Sequence, residues 1–329
     1  MSDSEVRSVA ELVTPFDAGA HVVACGFLGD EAVFATGSGE VVFLSGKKIP
    51  AHPNGGILEA ICDGERIVTC GDDGRVVSTF ADGATETLAE IKNKWIDHIA
   101  LGPDGAIAWS AGKTAFVKTK KGEKSLEVAS TVGGLAFAPK GFRLAVTHYN
   151  GVSLWFPNSD AAPEFLEWKG SHLCARFSPD GKFLVTSMQE AALHGWRLAD
   201  NKHMRMSGYP SRIRSFRFSH DGKWLATSGA EAVVMWPFST KDGPMGKEPK
   251  MLAAAREGAR VSCVACHPSR DALAAGYSDG MVMMVRTSDN AEILVRGPEG
   301  GEITALCWHE NGVSLGYGTD EGKAGVLNL

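Results

Sequence analysis

The sequence predicts an all-β fold made of repeated small sheets, and three observations support this prediction. One turn pattern recurs, most clearly as FSPDGKFLVTS at 177–187 and FSHDGKWLATSG at 218–229. Its eight copies are spaced 35 to 48 residues apart. Each copy contains short runs rich in β-branched and aromatic residues, separated by glycine-containing turns. A period of about 40–45 residues with these strand signals is typical of a β-propeller, in which four-stranded sheets surround a central channel.

The number of copies predicts the number of blades. Aligned on the turn, the copies begin near Val22, Ile57, Ile96, Val132, His172, Ile213, Val261 and Ile303. We therefore predict a single domain over residues 1–329 that forms an eight-bladed propeller. The alternative is a seven-bladed ring with one weak unit, the first or the third, outside it.

Residues 213–236 show how one unit forms a blade. IRSFRF predicts the inner strand, KWLATSG the second and VVMWPF the third. In the SHDG turn between the first two, Asp221 can bond to its own backbone and Gly222 can adopt a positive φ. The eighth unit stops at Leu329 after its third strand, whereas VAELVTPF (9–16) precedes the first inner strand. We predict that 9–16 completes the last blade and closes the ring, and that 1–8 is flexible.

Composition and charge narrow the class of protein. The net charge is -6, which disfavours non-specific binding to nucleic acid or acidic membranes. No run of about 18 apolar residues is present, and the first residues lack the pattern of a secretory leader. The seven cysteines are odd in number and scattered through predicted strands. We expect a soluble, cytoplasmic protein with reduced thiols, monomeric on its own.

The repeat units resemble those of the WD-repeat family. The resemblance rests on the FSPDGK turn, the strand ending ATSG, the turns DDG (72–74) and SDG (278–280), and third-strand tryptophans at 155, 196 and 236. In that family a His before the inner strand bonds to the turn Asp, a strand Ser or Thr, and the Trp; His52, Thr69 and Asp73 offer a similar set here. The resemblance implies a rigid, non-catalytic platform for other molecules.

Two short motifs suggest chemistry that their context disfavours. CVACH (263–267) matches a haem-attachment pattern, but Cys263 and Cys266 fall on opposite faces of a predicted strand. GYSDG (276–280) matches a nucleophile elbow, but Ser278 follows a strand that leads into another strand and not a helix. His267 and His309 are predicted to cap turns. We therefore expect no catalytic residue, no cofactor and no metal.

Candidate binding residues follow from propeller geometry. The starts of the inner strands and the turns between second and third strands share one face, which we call the strand-start face. Arg, Trp and Tyr dominate interface energetics. The candidates on this face are His21, Trp95, Tyr149, Arg212, Arg214, Arg260, Tyr277 and Glu302.

These residues predict a non-catalytic scaffold that docks a protein or peptide on the strand-start face. The partner would be an acidic segment with an apolar anchor, and neither nucleic acid nor membrane is expected. The alternative is a propeller enzyme or small-ligand binder that uses the central channel around Asp97 and His98. His98 occupies a channel-lining position that small residues fill in most other units.

Overall fold

The computed structural model describes residues 7–254 and 258–329, which fold mainly into short strands. Each of the eight sequence units, numbered 1 to 8 along the chain, has an inner, a second, a third and an outer strand. The inner strands are Val22–Leu28, Ile57–Cys62, His98–Leu101, Gly134–Phe137, the second half of Glu164–Phe177, Phe216–Phe218, Val261–Cys266 and Ile303–Trp308.

The remaining strands follow in the same order. The second strands are Glu31–Thr36, Arg66–Gly71, Ile107–Ala111, the first half of Leu144–Trp155, Phe183–Met188, Trp224–Thr227, Ala272–Tyr277 and Ser314–Thr319. The third strands are Glu40–Phe43, Arg75–Phe80, Thr114–Thr119, the second half of Leu144–Trp155, Leu193–Arg197, Val233–Pro237, Val282–Arg286 and Lys323–Asn328. The outer strands are Lys48–Pro50, Thr85–Glu90, Gly122–Glu127, the first half of Glu164–Phe177, Lys202–Met206, Lys250–Leu252, Glu292–Arg296 and Val13–Asp17. Two short 3-10 helices span Ala10–Leu12 and Pro103–Gly105.

The recurring DG turn has the predicted geometry. In unit 6, the Asp221 carboxylate accepts the Ser219 hydroxyl at 2.7 Å and the Lys223 N–H at 3.0 Å. Gly222 follows with φ of 70°, a value that costs glycine little. These bonds satisfy the polar groups of the turn locally, and the strands on either side can then pair without interruption.

Within the described residues, hydrogen bonds connect the strands into seven sheets. The prediction of eight blades is therefore wrong, and the alternative of seven blades is supported. One of the seven has six strands, because Leu144–Trp155 and Glu164–Phe177 each run through two strand positions of the repeat. The pairing of Tyr149 with Ser171 joins unit 4 to unit 5. All eight units still supply an inner strand, and neither the first nor the third lies outside the ring.

The core lies between neighbouring units. Over the part of the chain that the structure describes, eight hydrophobic clusters each join two consecutive units. A strand that is covered on both faces can be apolar throughout, and every residue of Phe183–Met188 is buried. The cluster that contains Val22, Phe34 and Val326 joins unit 1 to unit 8 and closes the ring.

The N-terminal segment completes the last sheet, with boundaries that differ from those predicted. The strand is Val13–Asp17 and not 9–16, and it pairs antiparallel with Lys323–Asn328. Residues 10–12 instead form the 3-10 turn that leads into this strand. Arg7 and Ser8 pair in parallel with Glu292–Arg296, although 1–8 was predicted to be flexible. Residues 1–6 of that prediction lie outside the described residues.

The buried polar network expected from the family resemblance forms in unit 2. His52 Nδ1 lies 2.8 Å from Asp73 Oδ1, and His52 Nε2 lies 2.8 Å from Thr69 Oγ1. Unit 6 makes an analogous network with a tyrosine in place of the histidine. The Tyr209 hydroxyl lies 2.7 Å from Thr227 Oγ1 and accepts the Trp236 indole N–H at 2.7 Å. Burial raises the pKa of Tyr209 to about 12, so the hydroxyl stays protonated at neutral pH.

Tyr209→Phe is expected to destabilise the protein by about 1–3 kcal/mol, because the buried Trp236 N–H would lose its partner. The measurement is the free energy of unfolding in denaturant. Tyr149→Phe is the matched control, since that side chain is 51% exposed. Equal stability of the two variants would show that the Tyr209 hydroxyl contributes nothing measurable.

Candidate functional site

Three exposed arginines gather on the strand-start face of units 6 and 7. Arg212 and Arg214 precede the inner strand of unit 6, and Arg260 directly precedes that of unit 7. Arg212 donates to the Gln189 side-chain oxygen at 3.0 Å. An ion pair joins Arg214 to Glu302 of unit 8, with 3.6 Å between Nη1 and Oε1. The structure therefore brings four predicted site residues from three consecutive units to one side of the ring.

Two hydrogen bonds with Ser278 orient the backbone at Arg260. Its N–H donates to Ser278 Oγ at 3.0 Å, and its carbonyl accepts the Ser278 N–H at 2.9 Å. Ser278 comes from the turn after the second strand of the same unit. The serine of the GYSDG motif therefore positions a surface loop.

Trp95 lies in unit 3, across the ring from the arginines. Its side chain is 63% exposed, which is unusual for a residue of this size. It lines an open pocket of about 560 Å³ together with Lys94, Asp97 and Lys113. The arginines and Trp95 consequently form two separate areas of the same face, with the mouth of the channel between them.

Further exposed side chains extend the area around Trp95. Tyr149 is 51% exposed at the turn in unit 4, and its N–H donates to Ser130 Oγ at 2.8 Å. Leu58, at the start of the inner strand of unit 2, is 39% exposed. The sequence did not point to Leu58, because the candidates were chosen from the residue directly before each inner strand.

Two surface areas are defined by these side chains. We call Leu58, Trp95 and Tyr149 the apolar area, and Arg212, Arg214 and Arg260 the cationic area. His21 is also exposed on this face, in unit 1.

Tyr277 does not contribute to this surface, although the sequence placed it there. It ends the second strand of unit 7, where its ring is fully buried among Val261, Val264 and Met281. Its hydroxyl donates to the Ala253 carbonyl. Burial raises the pKa of this hydroxyl, in keeping with a structural role.

The two channel candidates have different surroundings. His98 Nδ1 lies 3.4 Å from Glu59 Oε2 in the neighbouring unit, and the same oxygen accepts the Ile99 N–H at 3.0 Å. Asp97 instead lines the pocket beside Trp95. Sequence reasoning missed Glu59, which stands at the position of the repeat that His98 fills. Alignment of the units could have shown that two ionisable side chains are neighbours there.

The cysteines of the CVACH motif point to opposite neighbours. Cys263 Sγ lies 3.5 Å from the Thr304 carbonyl of unit 8, and Cys266 Sγ lies 3.6 Å from the Arg217 carbonyl of unit 6. Burial raises the pKa of Cys266 to about 12 and also raises that of Cys263, so both thiols stay protonated at neutral pH.

Histidines hold the turns on the opposite face, as predicted. His267 Nδ1 accepts the Ser269 and Arg270 N–H groups at 3.1 and 3.0 Å, while Nε2 lies 2.9 Å from the Gly312 carbonyl of unit 8. His309 Nδ1 accepts the Asn311 N–H at 3.0 Å, and Nε2 lies 2.9 Å from the Gly29 carbonyl of unit 1. Each histidine therefore caps its own turn and contacts the next unit.

Among residues 7–254 and 258–329, no three His, Cys, Asp or Glu side chains converge as metal ligands would. In the same ranges, no helix combines the length and the hydropathy of a membrane span.

Comparison with known proteins gives matches at the level of repeat and fold. The family of the WD domain, G-beta repeat, matches residues 201–236 and 249–285. No curated protein sequence matches significantly. The crystal structure of the computationally designed Ika8 protein is similar, with a TM-score of 0.75, 16% identity, and coverage of 95% of this chain and 98% of that chain. The structure of U3-55K is similar with a TM-score of 0.60, 15% identity, and coverage of 83% and 95%.

At these identities the two structures are evidence for the fold alone. The family match adds sequence evidence, and it covers unit 6, where Tyr209, Thr227 and Trp236 form the buried network. Together, the matched repeats and the ring of radial sheets show that the chain contains WD repeats and folds as a β-propeller.

Proposed function

We propose that this protein is a non-catalytic scaffold that docks a protein or peptide partner on the strand-start face. WD-repeat propellers are typically protein-interaction scaffolds, which supports the general role. The specific proposal rests on the exposure of Trp95. Its side chain is 63% exposed, it lies beside an open pocket, and it shares a face with three exposed arginines. Exposed Trp and Arg are the residues that most often anchor partners.

The charges favour an acidic partner segment. Arg212 has a neutral amide as its side-chain partner, and within the described residues no carboxylate lies within 4.0 Å of Arg260. Both guanidiniums can therefore donate a pair of parallel hydrogen bonds to a carboxylate of the partner. The net charge of -6 repels an acidic partner only weakly at the arginines, because charges more than about 8–10 Å away are screened.

The position of the two areas defines the shape of that partner. The cationic area lies on units 6 and 7, while the apolar area lies on units 2 to 4, across the mouth of the channel. A single extended segment can reach both by crossing the mouth. We propose an acidic stretch that contacts the cationic area, followed or preceded by an apolar side chain that packs on Trp95.

We also propose that the protein works in a reducing compartment, the cytoplasm, as a monomer. All seven cysteines are free thiols. Structural disulfides are rare in the cytosol, where thiols are kept reduced.

The charge-reversal variant Arg212→Glu/Arg260→Glu is expected to lose partner capture while folding normally. Two repulsive carboxylates would face the acidic segment, whereas surface changes of this kind shift stability by about 0.5 kcal/mol or less. The measurement is the set of proteins that the tagged full-length chain retains from its native lysate. Lys241→Glu/Lys247→Glu is the matched control, since it makes the same charge change on the opposite face.

Trp95→Ala in the same assay tests the apolar anchor, with an expected loss of about 2 kcal/mol in affinity. Equal retention by the two charge-reversal variants would mean that the strand-start face is not the docking surface. Retention that survives both the arginine and the tryptophan changes would overturn the proposal as a whole.

A further inference from the structure

Two arginines inside the ring lie outside the docking surface. Arg176 belongs to the inner strand of unit 5, and Arg217 belongs to that of unit 6. Each stands directly before the aromatic residue that ends its strand, Phe177 or Phe218, so the two occupy the same position on adjacent strands. Like charges at such positions repel each other unless something between them compensates.

The protein supplies almost no partner for either guanidinium. Arg176 Nε is buried and has no hydrogen-bond partner within the described residues. Arg217 Nη1 donates to the carbonyl of its own neighbour Phe216 at 2.9 Å. In residues 7–254 and 258–329, no carboxylate comes within 4.0 Å of either side chain. Buried polar groups are normally satisfied, so the unpartnered Arg176 Nε–H needs an explanation.

Neighbouring groups cannot serve as counter-ions. The thiols of Cys263 and Cys266 lie near Arg217, and burial raises the pKa of both, which keeps them neutral at pH 7. The charge of Arg176 and burial lower the pKa of Arg217 to about 10. Arg217 is therefore still protonated at neutral pH, and two uncompensated positive charges remain.

The site is open to small solutes. Arg217 is exposed and Arg176 is half-buried, so solvent reaches both side chains. At the same position of the repeat, the flanking units 4 and 7 have Ala136 and Ala265. The flanking units therefore place no charged side chain at this position.

We propose that Arg176 and Arg217 together bind a doubly charged oxyanion of the phosphate type inside the channel. Guanidinium groups present planar pairs of N–H donors that match phosphate oxygens. A dianion neutralises both charges at once and provides acceptors for the unpartnered Arg176 Nε–H. This site is separate from the docking surface, and neither proposal depends on the other.

The test is thermal unfolding of the full chain with inorganic phosphate, at ionic strength held constant with chloride. Phosphate is expected to raise the Tm by about 2–4 °C at saturating concentration, because it binds only the folded state. Arg176→Gln and Arg217→Gln are each expected to abolish this increase. Arg205→Gln, on the outer strand of unit 5, is the control and should respond to phosphate as the native chain does.

A second readout distinguishes binding from a structural role. Without phosphate and at low salt, Arg217→Gln is expected to be at least as stable as the native chain, because the substitution removes the repulsion. A decrease in the Tm of this variant by several degrees would mean that Arg217 stabilises the fold, and would overturn the proposal. Equal effects of phosphate and chloride on the native chain would overturn it as well.

Discussion

Removal of residues 1–18 is expected to destabilise the ring and cause self-association. The deletion takes away Val13–Asp17, which pairs with Lys323–Asn328, and the stack of Phe16 on Phe34 at 5.6 Å between ring centroids. Val326 and Leu327, now at most 2% exposed, would lose cover. At about 1.5–3 kcal/mol for each buried aliphatic side chain, the expected cost is about 3–6 kcal/mol.

The exposed edge of Lys323–Asn328 explains the expected self-association, because an unpaired apolar edge is a template for another chain. Thermal unfolding and light scattering measure the two effects. Deletion of residues 1–6 alone is the control, since it retains the whole Val13–Asp17 strand. A chain lacking 1–18 that melts as the full chain does and stays monodisperse would show that the ring closes without this strand.

The repeat made most of the fold predictable. The recurring turn, which is Asp-Gly in units 2, 3, 5 and 6 and a divergent version in the other four, indicates where each second strand begins. The eight turns place eight inner strands near the positions expected. The number of connected sheets was not predictable, because it depends on one local event. Asn150 and Gly151 both have positive φ and keep Leu144–Trp155 extended through the turn, and the Tyr149–Ser171 pairing then joins two units.

The candidate site was less predictable than the fold. Position in the repeat predicts that Trp95, Tyr149 and the arginines share one face, because all units have the same orientation. The prediction also placed Tyr277 there, although strand pairing puts Tyr277 at the repeat position of the buried His148 and puts Tyr149 at that of Ser278. The two tyrosines therefore differ by one position at the end of the second strand, and successive side chains of a strand point to opposite faces.

Acid sensitivity is expected to arise in unit 5, around His194. This side chain is fully buried, and within the described residues neither ring nitrogen has a hydrogen-bond partner. Its ring stacks on Trp168 with 4.0 Å between centroids, and His203 and His172 are also nearby. Burial, together with the charges of His172 and His203 when protonated, lowers the pKa of His194 from 6.5 to about 3.

Because this pKa is lowered on folding, the unfolded chain binds a proton that the folded chain excludes between pH 6.5 and about 3. Stability is therefore complete above pH 6.5 and declines as the pH falls through that window. The pKa values of His148 and His172 are lowered by burial as well, which acts in the same direction. One such histidine gives a slope of up to about 1.4 kcal/mol per pH unit.

His194→Phe is expected to flatten this dependence, since phenylalanine keeps the stacking on Trp168 and has no proton to bind. The measurement is the free energy of unfolding in denaturant between pH 7.5 and pH 4.5, for the native chain and the variant. His21→Phe, which changes an exposed histidine, should leave the slope as it is in the native chain. If His194→Phe loses stability with falling pH as steeply as the native chain, proton exclusion by His194 is not the source of the acid sensitivity. The other buried histidines would then be its source.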